Sequence, residues 1–128
     1  MSYVDGYVLP VPEKNIDAYR EMAQKAAAVW MEHGALDYKE CIADDINIEG
    51  FVPFPKVIEA KQGETVVFAY IVFKSRKHRD EVNAKAMNDP RLKEDCENEK
   101  EMPFDWKRMA YGGFKVLVTP DETTKDQL

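Results

Sequence analysis

Arg76, Lys77, His78 and Arg79 are consecutive and follow Ser75, where a helix is expected to begin. Cations at a helix N-terminus oppose its macrodipole by about 0.3–1 kcal/mol each when exposed. One chemistry accounts for that placement: an anion site in which backbone N–H groups and Arg76, His78 and Arg79 meet a carboxylate or phosphate. The preferred reading is plainer, a solvated turn whose charges pair with Asp44, Asp45 or Glu81. Asp105, Trp106, Arg108 and Tyr111 form the densest second cluster. Asp105 suits a turn cap, and Arg108 suits either a pairing with Asp105 or a bidentate grip on a ligand carboxylate. Tying the incoming loop to the last strand is the preferred role.

His33 and His78 are the only histidines, on different expected helices and without metal-type spacing to a cysteine or carboxylate, so no metal site is expected. His33 is expected to cap the end of its helix. Ser2 is terminal and Ser75 reads as a helix cap, so neither is a convincing nucleophile. Trp30 and Tyr38 flank Gly34 and are placed to line one space with Phe51 and Phe54. Such a space suits a small organic ligand, or core packing, which is preferred. The candidate ligand-binding residues are therefore His33, Tyr38, Asp105, Trp106, Arg108 and Tyr111. No catalytic residue and no cofactor is implied.

Residues 3–11 read as a first strand stopped by Pro10 and Pro12. A helix follows over 16–33, with Asn15 as N-cap and a buried stripe of Ile16, Tyr19, Ala23, Ala26, Ala27 and Trp30. Gly34 stands where a left-handed cap is needed. Residues 36–43 form a mixed-polarity edge strand. The apolar connection over 44–64 is expected to pack over an edge as a flap. Thr65 to Phe73 offers nine strand formers with neither alternate set polar, so both faces need cover. Residues 75–88 read as a second helix, Asp89-Pro90 as the start of a third, and 109–118 as a last strand. Gly112-Gly113 permits a bulge or a close backbone approach.

The order βαββαβ predicts an α+β, ferredoxin-like antiparallel sheet with its helices on one face, in a single domain over 1–120 with a frayed tail at 121–128. Val4, Gly6, Val8, Val67, Ala69, Ile71, Ala110, Phe114 and Val116 are assigned to the helix-facing core. Tyr3, Asp5, Tyr7, Leu9, Phe68, Tyr70, Met109, Tyr111 and Leu117 are assigned to the opposite face, which is expected to meet a second copy.

With 45% apolar and 33% charged residues, the chain is a globular rather than a disordered or membrane sequence. The net charge is −6. Residues 93–101 hold five acids against two lysines and the segment after Pro120 three against one, so these two segments supply most of that charge. Acidity without a basic face disfavours nucleic acid. No apolar stretch is long enough for a membrane span, and no signal-type start is present, so a cytoplasmic address is expected. Cys41 and Cys96 are expected to be free thiols.

Val11-Pro12 through Tyr19-Arg20-Glu21-Met22-Ala23, Glu32-His33-Gly34-Ala35, Glu64 to Phe68 and Asp89-Pro90-Arg91 resemble the YbaA-like proteins. Met102-Pro103-Phe104-Asp105 with Lys107-Arg108-Met109 and Tyr111-Gly112-Gly113-Phe114 is the most specific stretch, although Trp106 stands where a smaller residue is expected. The resemblance implies a dimeric α/β-barrel protein, two sheets packed face to face, and no assigned activity. Related barrels sometimes use the space between sheet and helices as a reaction pocket, an analogy of fold alone. Two functions are carried forward: binding of a small organic or anionic ligand, and a non-catalytic, stress-related dimer that binds another protein through the flap or the acidic stretch around Cys96.

Overall fold

The computed structural model describes residues 2–97 and 102–120; the expected tail at 121–128 and the side chain of Cys96 lie outside the described residues. Eight elements follow one another: β1 (Tyr3–Pro12), α1 (Ile16–Glu32), β2 (Asp37–Ile42), α2 (Phe54–Val57), β3 (Glu64–Phe73), α3 (Arg76–Met87), α4 (Pro90–Glu97) and β4 (Ala110–Lys115). The strands form one antiparallel sheet in the order β2-β3-β1-β4, so the fold is α+β and ferredoxin-like, with one short added helix in the long connection. β2 lies at an edge, as its mixed polarity predicts. β1 is central despite Pro10 and Pro12. β4 pairs only as far as Val8, so neither proline has to donate to a neighbour there.

The register corrects the facing of two strands. Tyr3 pairs with Phe73, Asp5 with Ile71, Tyr7 with Ala69 and Leu9 with Val67, so these residues share the helix face. Tyr111 joins them opposite Tyr7, while Phe114, opposite Val4, turns to the open face. β3 faces as predicted; the residues assigned on β1 and β4 are interchanged. The cause is Asp5. A charge in a strand reads as surface, yet Asp5 is fully buried.

The core lies between this face and the helices. Leu9, Val11, Tyr19, Ala23 and Val67 pack at one end, and Tyr3, Ala35, Ile71, Phe73 and Val82 at the other. Burying side chains such as Phe73, Leu9 and Ile71 contributes about 1.5–3 kcal/mol each. Val29, absent from the predicted stripe of α1, is fully buried against Ala86 and Leu92, which fastens α3 and α4 to α1.

The predicted punctuation holds except at Asn15. Gly34 takes φ +116° after α1. The Ser75 hydroxyl accepts from the His78 N–H at 3.1 Å, and Asp89 Oδ1 accepts from the Arg91 N–H at 2.9 Å. Asn15 precedes α1 but caps nothing with its side chain, which instead donates to the Pro103 carbonyl at 3.0 Å. The 44–64 connection lies partly over the open face, where Phe54 and Ile46 border a groove with Val66 and Phe68.

Candidate functional site

A cavity of about 240 Å³ lies between the sheet and α1. Three elements supply its aromatic wall: Tyr7 from β1, Tyr19 and Trp30 from α1, and Tyr38 from β2. Phe104 and Met109, from the segment before β4, close one side. Their placement follows from periodicity. Tyr19, Ala23, Ala26 and Trp30 recur along one side of a helix, and the alanines leave the space that the larger residues frame.

Glu40 supplies the cavity's carboxylate, alternating with Tyr38 on the same face of β2. The Tyr19 hydroxyl donates to Glu40 Oε1 at 2.6 Å, and the Tyr38 hydroxyl donates to Oε2 at 2.7 Å. Burial, with the Glu40 carboxylate beside them, pushes both phenols far above the usual tyrosine range. They are donors and not phenolates at physiological pH. Tyr19, Ala23, Tyr38 and Glu40 also line an outer groove of about 300 Å³ along α1 and β2, so these four residues separate the two spaces.

Behind Tyr7 sits a second polar network. Tyr7 stacks on Tyr111 with ring centroids 4.8 Å apart. The Tyr111 hydroxyl and Asn83 Nδ2 each donate to Asp5 Oδ2 at 3.2 Å, and Trp30 Nε1 donates to Asn83 Oδ1 at 2.9 Å. Arg79 Nε lies 3.2 Å from Asp5 Oδ1, an ion pair whose N–H is not aligned for a hydrogen bond. Arg79 Nη2 donates to the Tyr3 hydroxyl at 3.1 Å, with the guanidinium over the Tyr3 ring. Burial and the neighbouring Asp5 raise the Tyr7 and Tyr111 phenols. Gly113 provides the close approach predicted for the paired glycines: a Cβ there would overlap both Arg79 Nη2 and the Tyr3 hydroxyl.

Of the six candidate ligand residues, only Tyr38 lines the cavity. Tyr111 reaches it through its stack on Tyr7. His33 ends α1 with Nε2 3.0 Å from Asp89 Oδ2, so it joins α1 to α4 through a side chain. Arg108 does not pair with Asp105; it grips Glu64 in a fork, Nη1 to Oε2 at 2.6 Å and Nη2 to Oε1 at 2.9 Å. That contact holds the Glu64 carboxyl below its ordinary range. Asp105 caps its turn by accepting from the Lys107 N–H at 3.1 Å. Trp106 is half exposed and lines, with Asp105 and Asn15, a separate shallow depression.

The candidate anion residues do not converge on one point. Arg76 is exposed. His78 lies edge-on to Phe73, its Nδ1 accepting from the Lys74 N–H at 3.0 Å. Arg79 turns inward to Asp5 rather than to Asp44, Asp45 or Glu81. The expected common space of Tyr38 and the flap is also corrected: Tyr38 is on the helix face and Phe54 on the open one. Among the described residues no group of three or more His, Cys, Asp or Glu side chains is placed to hold a metal ion.

Glu40, Tyr7, Tyr19 and Asp5 escaped the sequence reading as site residues. Tyr38-x-Glu40 carried a usable signal, since residues two apart in a strand share a face. The meeting with Tyr19 depends on how α1 crosses β2.

Residues 2–106 match the family described as "Protein of unknown function (DUF1428)". The chain belongs to this family. Members named "Uncharacterized protein YbaA" from Escherichia coli K12 and Shigella flexneri are each 48% identical over 118 residues, covering 92% of this chain and 98% of theirs. The YbaA-like resemblance is thereby established, and the family brings no assigned reaction. Among solved structures, SnoaB from Streptomyces nogalater, described as a cofactor-independent oxygenase, superposes with a TM-score of 0.53 over 94% of this chain and 98% of its own. At 13% identity that likeness concerns the fold alone.

Proposed function

We propose that this protein is a homodimer, joined through its open sheet face, whose sheet–helix cavity binds a small, largely apolar organic molecule. The observation that carries the binding is the cavity itself: an aromatic wall with a few convergent polar groups, held by buried networks on both sides. No reaction is assigned to it. Thermal shift with benzyl alcohol and indole tests the proposal on the wild-type chain and on Ala26→Phe, whose added ring fills the space. Both ligands stabilise the wild type and lose their effect in the variant. An equal response in the two proteins places the ligand elsewhere and ends the proposal.

The dimer is supported by the face opposite the helices. Phe68 is 44% and Phe114 63% exposed there, and both share that face with Val4 and Val8. A second copy of this apolar surface is its simplest complement. Sedimentation at micromolar concentration gives a dimer for the wild type and a monomer for Phe68→Glu; a 14.8 kDa wild-type particle refutes it. A cytoplasmic address belongs to the same proposal. It is supported by the exposed free thiol of Cys41, and by the described residues holding no helix long and apolar enough to cross a membrane.

One observation favours a second reading, a protein-interaction role. Phe51 and Val52 at the flap tip are 77% and 68% exposed. A flap deletion that leaves the set of captured partners unchanged rules it out.

A further inference from the structure

We infer that the occupant of the sheet–helix cavity is a small organic ammonium: a ring-sized apolar body carrying a positive charge that faces Glu40. The inference rests on the cavity reading above and adds the ligand's charge. Among the described residues, Glu40 is the only charged side chain lining the space. Both of its oxygens accept from phenols, and no Lys, Arg or His among the described residues pairs with it. A carboxylate has about four acceptor positions, so two remain for a ligand's N–H groups. The Arg79 guanidinium, behind Tyr7, is committed to Asp5 and Asp80. Arg20, in the outer groove, is paired with Asp17. Among the described lining residues there is thus one carboxylate and no cation.

The walls agree with that charge. Tyr7, Tyr19, Trp30 and Tyr38 present aromatic rings, whose negative faces attract ammonium groups. A ligand carboxylate would meet Glu40 at like charge with no cation among the described lining residues, whereas a neutral ligand would gain a hydrogen bond without the ion pairing. An apolar cavity of about 150 Å³ holds benzene. The 240 Å³ here accommodates a single ring with a short ammonium arm.

Three ligands of nearly equal size separate the cases: benzylammonium, benzyl alcohol and benzoate, titrated calorimetrically into the full chain and into Glu40→Gln. Benzylammonium binds the wild type roughly tenfold tighter than benzyl alcohol, because it adds ion pairing to a hydrogen bond on the same carboxylate. Benzoate binds more weakly than either. Glu40→Gln removes the benzylammonium advantage and leaves benzyl alcohol within about twofold, because the amide still offers an acceptor. If Glu40→Gln does not fold, the order of the three ligands on the wild type decides alone. Equal binding of benzylammonium and benzyl alcohol, or a preference for benzoate, overturns the charge assignment and leaves the cavity reading standing. Binding that Ala26→Phe does not abolish overturns the cavity reading itself, and this inference with it.

Discussion

Replacing Asp5 by alanine tests the buried network most directly. Asp5 is fully buried, with Arg79 Nε as an ion-pair partner 3.2 Å from Oδ1, and accepts from two donors, Asn83 Nδ2 and the Tyr111 hydroxyl, each 3.2 Å from Oδ2. Removing one partner of a buried ion pair costs about 3–5 kcal/mol, because the other charge stays behind uncompensated. The Arg79 side chain is 18% exposed and keeps Asp80 and Tyr3, so the lower end, about 3 kcal/mol, applies. Asn83 loses an acceptor at about 1 kcal/mol, while the half-exposed Tyr111 hydroxyl turns to water at little cost. The expected loss is about 4 kcal/mol, a large part of the 5–15 kcal/mol typical of a domain. Urea unfolding at 25 °C reads it as a lower midpoint at unchanged m-value. Asp5→Ala combined with Arg79→Met recovers about 2 kcal/mol relative to the summed single losses, since an absent pair leaves no stranded charge. A single-variant loss under about 1 kcal/mol, or strict additivity, refutes the claim that Asp5 and Arg79 neutralise one another inside the fold.

Gly113→Ala places a methyl group on Arg79 Nη2 and the Tyr3 hydroxyl and lowers stability by about 1–3 kcal/mol, measured in the same urea assay. Tyr7, Tyr19, Tyr38 and Tyr111 hold their protons above the free-phenol range, so stability is intact below about pH 10 and falls as the unfolded phenols ionise above it. Ultraviolet titration then shows these tyrosines ionising together with alkaline unfolding; smooth ionisation of all six in the folded protein contradicts the buried placement. Hydrogen bonds from Arg91, then His33, depress the Asp89 carboxyl, so its contribution is whole above about pH 4 and disappears as acid protonates it. Asp89→Asn accordingly lowers the melting temperature at pH 7 more than at pH 2.5, and an equal decrement at both pH values argues against the ion pair.

The fold was legible wherever a local rule governs. The Ser75 and Asp89 caps, the Gly34 turn and the facing of β3 each depend on a few neighbouring residues. The facing of β1 was not legible, because the three groups that make Asp5 an inside residue come from α3 and β4. Asn83 is 78 and Tyr111 106 positions away along the chain. Arg108 failed similarly: its neighbour Asp105 was the obvious partner, and Glu64, 44 positions distant, is the actual one. Within the cavity, sequence supplied Trp30 and Tyr38 but not the carboxylate between Tyr19 and Tyr38. A glutamate in an edge strand reads as solvent-facing until the crossing helix is known.

The order β2-β3-β1-β4 also bears on how the chain is made. The first of the four described strands becomes an inner strand, and one of its two neighbours is the last of the four. Helices and β3 can cover Tyr3, Leu9 and Val11 earlier, but β1 gains its second hydrogen-bonded flank only when residues 110–115 have emerged. A chain stopped before that point leaves one edge of β1 with unpaired backbone groups.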